Sequence, residues 1–199
     1  LDEYEHKGMS TGHEQRSPRH QNKKSSMQKD EMNLILKTQR LRLKPILESE
    51  LTLLHQIFIN PYVREYLCDG EVFSLQQVKE MLMESQKLFD EKRFGLWFIE
   101  TQDEQETIGF VGLWYFFEEK QPQLIYALLP HATHKGFATE AATRILEYSF
   151  STLGYSYLLA SCDRPNLSSQ RVVERIGMKE VEKRFIDGKP ILFFKVERS

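Results

Sequence analysis

The most constraining feature of this chain is a strand that runs through a glycine loop straight into a helix. Leu124 to Leu129 is a short apolar run closed by Pro130, the pattern of a buried strand. From Ala138 onward the residues favour helix, and Ala138, Ala141, Ala142, Ile145 and Leu146 recur at helical spacing. That helix is expected to run to about Leu153, with Gly154 as a natural stop. Between strand and helix lies a tight loop in which Gly136 lets the backbone take angles other residues avoid.

Such a loop has one obvious chemical use. The first N–H groups of a helix have no internal partner, and the helix dipole adds partial positive charge there. With glycine allowing close approach, the N–H groups of His134, Lys135, Gly136, Phe137, Ala138 and Thr139 can converge on one anion. A phosphate or pyrophosphate is the natural guest, and the Lys135 side chain would add charge. An ordinary connection between strand and helix is the competing reading of the loop taken alone.

The rest of the chain bounds the function class. Its 199 residues are 40% hydrophobic and 28% charged, enough for one domain with a proper core. A formal net charge of −2 gives no electrostatic case for nucleic acid or an anionic membrane. The longest apolar stretch, Ile108 to Phe117, is too short to span a bilayer. Cys68 and Cys162 are far apart and make neither a disulfide framework nor a zinc set, so no metal is expected. With no apolar leader core visible, the expected setting is cytoplasmic.

Residues 1–33 differ in kind, being rich in His, Ser, Gln, Lys and Glu with very few large apolar side chains. They are expected to be a disordered tail or an appended extension, with Met9, Met27 and Met32 as candidate native starts. His6, His13 and His20 read as coincidence in a polar tail rather than a metal set.

The expected domain is 34–199. Leu34 to Leu43 ends in strict alternation, a strand that Pro45 stops. Glu48 to Ile59 suits a helix, Asn60-Pro61 breaks it, and a short helix from Pro61 to Leu67 follows. Ser74 caps a longer amphipathic helix to about Lys92. Strands are expected over Phe94–Glu100, Thr107–Phe117, Gln123–Leu129 and Tyr155–Cys162, then a helix over Asn166–Ile176. Two strands, Lys179–Ile186 and Pro190–Glu197, flank an Asp187-Gly188 turn. Gly109 and Gly112 inside a strand mark a bulge or a close approach.

A second motif is Asn166-Leu-Ser-Ser169-Gln-Arg-Val-Val-Glu-Arg-Ile-Gly177-Met178. Asn166 caps a helix whose apolar face is Val172, Val173 and Ile176, and Gly177 ends it. A capped structural helix explains every residue of it except Ser169. Residues three apart share a helix face, so Asn166 and Ser169 can meet one ligand.

The loop Thr133-His-Lys-Gly136-Phe-Ala138-Thr-Glu-Ala141 resembles the acyl-CoA-binding motif of the GNAT (GCN5-related) N-acetyltransferases, with Thr133 where that family usually has Gln or Arg. The Asn166–Met178 stretch resembles a second motif of the same family, and Gly136–Ala141 with the Thr38-x-Arg40-Leu41-x-Leu43 opening resembles the branch that acetylates ribosomal-protein N-termini. The resemblance covers about Leu34 to Glu197. It implies an α+β fold: a mostly antiparallel, splayed sheet of about seven strands flanked by helices, in the order β-α-α-β-β-β-α-β-α-β-β.

It further implies direct transfer of an acetyl group from acetyl-CoA to an amine. Pyrophosphate would lie on His134–Thr139, pantetheine beside Ala127, Leu128 and Leu129, and Asn166 would reach the CoA arm. The thioester oxygen would meet an N–H near Ala127 or Leu128. Ser169 would meet the sulfur as a hydrogen-bond donor or acid. Where relatives often carry a Glu base, this chain has Gln123, an amide that cannot take a proton; Glu118 and Glu119, acting directly or through water, and Tyr126 and His131 are the options. An acceptor near pKa 8 would need no base at all.

Tyr62, Tyr66, Phe94, Trp97, Trp114, Phe193 and Phe194 are the candidate acceptor-pocket residues, at least half of which must be core instead. No acidic cluster is visible in the sequence to mark a polyamine site. The acceptor is a peptide N-terminus, a free amino acid or a small amine, and the chain a monomer or homodimer. The competing function is a non-catalytic acyl-CoA sensor, which Thr133 and Gln123 would fit and Ser169 would not. A peptide- or RNA-binding role for the tail is the least favoured.

Overall fold

A turn at Thr38 splits the expected opening strand in two, β1 (Leu36–Lys37) and β2 (Leu41–Pro45). Its residues close that turn themselves: the Thr38 N–H donates to the Leu41 carbonyl, and the Leu41 N–H to Thr38 Oγ1, both at 2.9 Å. This computed structural model describes residues 34–67, 69–117 and 119–198. The expected tail 1–33 lies outside the described residues, as do Cys68 and Glu118.

A short 3-10 turn (Glu48–Glu50) leads into α1 (Leu51–Ile59), and Asn60 separates it from α2 (Pro61–Leu67). Ser74 caps α3 (Leu75–Lys92) reciprocally with Gln77, satisfying two donors that the helix start would otherwise leave open. Then come β3 (Leu96–Thr101), β4 (Thr107–Trp114), β5 (Gln123–Leu128), α4 (Phe137–Ser151), β6 (Tyr157–Asp163), α5 (Leu167–Arg175), β7 (Lys179–Ile186) and β8 (Lys189–Glu197). Eight strands form one sheet in the order β1-β2-β3-β4-β5-β6-β8-β7, flanked by five helices. That is one strand more than expected, because the opening strand is broken; the fifth helix is the short Pro61–Leu67 helix that the sequence predicts but the family order leaves out.

Every pairing is antiparallel except β5 with β6. Successive strand residues point to opposite faces, so the sheet divides the core in two. Trp97, Ile99, Val111, Leu124 and Leu158 pack with Ala141, Ala142 and Ile145 of α4 and Val173 of α5. Phe98, Phe110 and Ile125 pack on the other face with Leu54 and Phe58 of α1, Val63 of α2 and Val78 and Leu82 of α3. The small Ala141 and Ala142 let α4 lie close against the sheet, which sets the depth of its first turn. Gly109 is the expected close approach: a Cβ there would stand 2.1 Å from the Ala127 carbonyl oxygen on β5.

Candidate functional site

The parallel pair β5–β6 is joined at only two positions, Gln123 with Leu159 and Leu124 with Ala160. Beyond Leu124 the strands part, and a cleft of about 640 Å³ opens between them. The ladder decides which backbone groups face it. The Leu129 N–H donates to the Ile108 carbonyl at 2.8 Å. Antiparallel pairing alternates, so Ala127 is also turned toward β4, while Tyr126 and Leu128 direct their backbone groups toward the opening. Of the residues expected beside a pantetheine arm, Leu128 is therefore suited; Leu129 and the Ala127 N–H are not, because β4 already holds them.

On one side the cleft is lined by Thr133, His134, Gly136, Phe137, Ala138 and Thr139. His134 (φ 59°) and Gly136 (φ 82°) both lie in the left-handed region, a backbone form that can turn neighbouring amides toward one anion. The first hydrogen bond of α4 runs from the Glu140 N–H to the Gly136 carbonyl at 3.0 Å. The N–H groups of Phe137, Ala138 and Thr139 thus have no partner within the helix. Thr133 turns its hydroxyl to the Pro130 carbonyl at 2.8 Å, closing the 3-10 turn Pro130–Ala132. Lys135 is not among the lining residues.

Asn166 and Ser169 line the cleft together from the start of α5. Asn166 Oδ1 accepts the Ser169 N–H at 3.1 Å, so the cap occupies the oxygen and leaves the Nδ2 hydrogens as what this side chain offers a ligand. The Tyr126 hydroxyl crosses from β5 and donates to the Ser169 carbonyl at 3.1 Å. Burial pushes the Tyr126 phenol far above its ordinary value, so it stays neutral and ties β5 to α5 rather than taking a proton. Burial, with Asp163 nearby, pushes the Cys162 thiol up to about 12, which makes it an inert wall of the cleft.

Three of the other positions considered for a base are buried or already paired. Gln123 is fully buried at the closed end of the pair, with neither amide atom hydrogen-bonded among the described residues. His131 is half exposed and paired with Glu106 at 3.0 Å. Glu119 is held by Arg184 at 2.7 Å. Glu118 lies outside the described residues.

The remaining wall is lined by Tyr62, Glu65 and Tyr66 of α2, then Asp69, Phe116, Phe117, Asp163 and Asp187. Four carboxylates from four segments thus line the cleft, together with Arg171, Arg175 and Lys189. Lys189 pairs with Asp69 at 2.6 Å, and burial beside Asp69 raises the Asp163 carboxyl. No local signal marked this mixed lining, because Glu65, Asp69, Asp163 and Asp187 belong to separate elements that only the fold brings together. Of the aromatic candidates, Tyr62 and Tyr66 line the cleft, whereas Phe94, Trp97, Phe193 and Phe194 are core and Trp114 packs against it. Phe116 and Phe117, beyond the end of β4, take the expected places instead.

Among the described residues there is no group of three His, Cys, Asp or Glu able to hold a metal, and no helix long and apolar enough to cross a membrane. Residues 40–179 match the family described as Acetyltransferase (GNAT) domain. The uncharacterized N-acetyltransferase YoaA of Bacillus subtilis is 29% identical over 147 residues, 73% of this chain and 83% of that protein. YnaD of the same organism, also an uncharacterized N-acetyltransferase, is 31% identical over 121 residues, 59% of this chain and 71% of its own. Among solved structures, a putative GNAT-family acetyltransferase from Bordetella pertussis superposes with a TM-score of 0.71 at 22% identity, covering 81% of this chain and 98% of its own. RimL, a ribosomal L7/L12 alpha-N-protein acetyltransferase in complex with coenzyme A, gives 0.68 at 16% identity, covering 82% and 97%.

Proposed function

The chain belongs to the GNAT acetyltransferases, and from that premise we propose that it moves an acetyl group from acetyl-CoA directly to a primary amine. The observation that carries this reading is the opened β5–β6 pair, with an amide-lined loop on one side and the Asn166–Ser169 helix start on the other. A diphosphate fits the loop His134–Thr139, whose amides need an anion. The Asn166 Nδ2 group and the free edge of β5 at Tyr126 and Leu128 suit the amides of a pantetheine arm.

The Leu128 N–H is the donor for the thioester oxygen as negative charge develops on it. The acceptor amine arrives neutral and attacks the thioester carbon. A C–N bond forms, the C–S bond breaks, and the excess proton leaves the amine to solvent or to a cleft carboxylate. Ser169 donates a hydrogen bond to the departing thiolate, a role within reach of a hydroxyl that is a weak acid. An acceptor α-amino group near pKa 8 supplies the neutral form without a dedicated base. The family likeness to ribosomal-protein acetyltransferases makes a protein N-terminus one acceptor to test and a small amine the other, in the cytoplasm.

Free-thiol release from acetyl-CoA, run against peptides of varied N-termini, amino acids and polyamines, tests this directly. Release with one class names the acceptor. Tight acetyl-CoA binding by calorimetry without release from any acceptor class would overturn transfer in favour of an acyl-CoA sensor.

A further inference from the structure

The turn between β1 and β2 lies against the first turn of α4, far from it in sequence, and the contacts there are dense. Thr38 Oγ1 donates to Glu140 Oε1 at 2.6 Å, and the Arg40 N–H donates to the same oxygen at 2.9 Å. Arg40 Nε and Nη2 both meet Glu140 Oε2, at 2.7 and 2.6 Å. Its third nitrogen, Nη1, donates to the Lys135 carbonyl at 3.0 Å. The guanidinium also sits 4.5 Å over the Phe137 ring, and a Cβ on Gly136 would stand 3.4 Å from Nη2. One side chain therefore touches Lys135, Phe137 and Glu140 and lies directly beneath Gly136.

Glu140 poses a problem for an anion site. A carboxylate in the first turn suits the helix dipole, but it places negative charge beside the amides meant for a phosphate. Burial pushes its carboxyl up, yet the hydrogen bonds of Thr38 and Arg40 and the Arg40 charge outweigh that and hold it below the usual range. It is therefore ionised at neutral pH, and its charge must be balanced locally.

We propose that Arg40 is a positioning residue for the phosphate loop: its guanidinium cancels the Glu140 charge and ties the Lys135 carbonyl, so that the amides of 134–139 face the cleft before a diphosphate arrives. The inference rests on the acetyl-CoA reading above. A forked, bidentate side chain is needed, because a lysine supplies the charge but cannot hold the carboxylate and the carbonyl in one plane.

The test is CoA binding by calorimetry and acetyl-CoA kinetics on the wild type, Arg40→Ala, Arg40→Lys, Glu140→Gln and the double variant Arg40→Ala/Glu140→Gln. Arg40→Ala is expected to weaken CoA about tenfold or more, raising KM well beyond any change in kcat. The double variant is expected to recover most of that loss, since the unbalanced carboxylate is gone, and Glu140→Gln alone to bind as well as the wild type or better. The Arg40→Ala defect is expected to shrink as salt rises toward about 1 M, where screening acts within roughly 3 Å; a packing defect would not. An Arg40→Ala protein that binds CoA within about twofold of the wild type, or a double variant as weak as the single, overturns the proposal. Should Arg40→Ala not fold, Arg40→Lys decides: binding equal to the wild type rules out the fork. A wild type that does not bind CoA at all sinks the acetyl-CoA reading instead, a result separate from these.

Discussion

At the scale of single residues, the cleft separates groups that hold from groups that react. Gly136 combines a left-handed backbone (φ 82°) with the place where the loop amides converge. Gly136→Glu is expected to abolish CoA binding in calorimetry, because it strains the turn and puts a carboxylate into the phosphate site. Unchanged affinity would move the phosphate site elsewhere. Ser169 lines the cleft with its carbonyl anchored by Tyr126, and the proposed mechanism sets its hydroxyl at the sulfur. Ser169→Ala is expected to lower kcat by about tenfold to a hundredfold while CoA affinity stays near the wild-type value. A variant with full turnover would remove Ser169 from the chemistry and leave it as a helix residue.

At the scale of elements, α4 carries the load. Its N-terminus supplies the amides, and its body is anchored by Ala141, Ala142, Ile145 and Tyr148 against β3, β4 and β5. Ile145 is fully buried. Ile145→Ala is expected to destabilise the fold by about 2–5 kcal/mol in a urea melt. A cost below about 1 kcal/mol would mean that the helix closes over the gap, so that its depth on the sheet is adjustable rather than set by packing. The strand pair β5–β6 has the complementary role. It pairs where Gln123 and Leu124 meet Leu159 and Ala160 and nowhere further, and the unpaired remainder is what a ligand can use.

At the scale of the whole molecule, the sheet separates two functions by face. The α4 and α5 side carries the loop, Asn166 and Ser169, while α2 and the segments after β4 and β7 line the other wall, where the acceptor is proposed to enter. A ligand that fills the gap between β5 and β6 bridges both halves of the sheet. Acetyl-CoA at a hundred times its Kd should therefore add about 2.7 kcal/mol of stability. For a domain of this size that is a rise in Tm of roughly 5–10 °C, readable by differential scanning fluorimetry. No shift at saturating ligand would argue that the cleft is not the CoA site.

How much of this was legible from residues alone follows the range of the interactions. The strand–loop–helix around Gly136, the Ser74 cap, the short helix after Pro61 and the capped Asn166 helix all depend on neighbours within a turn or two, and the sequence reading placed each within a few residues. The family and its sheet followed from motifs of that same local kind. What the chain order could not convey was which groups were already engaged. Ala127 and Leu129 looked available until the β4 ladder was seen to hold them. Gln123 stood at the expected place for a base, but lies in the closed end of the strand pair. Four carboxylates with nothing in common along the chain line one cleft, and Arg40 meets Glu140 across a hundred residues. Local preference and hydrophobic period are written in short windows of sequence and so determined the elements. Pairing partners, charge balance and burial arise only when distant segments are pressed together, and the tertiary structure alone decided them.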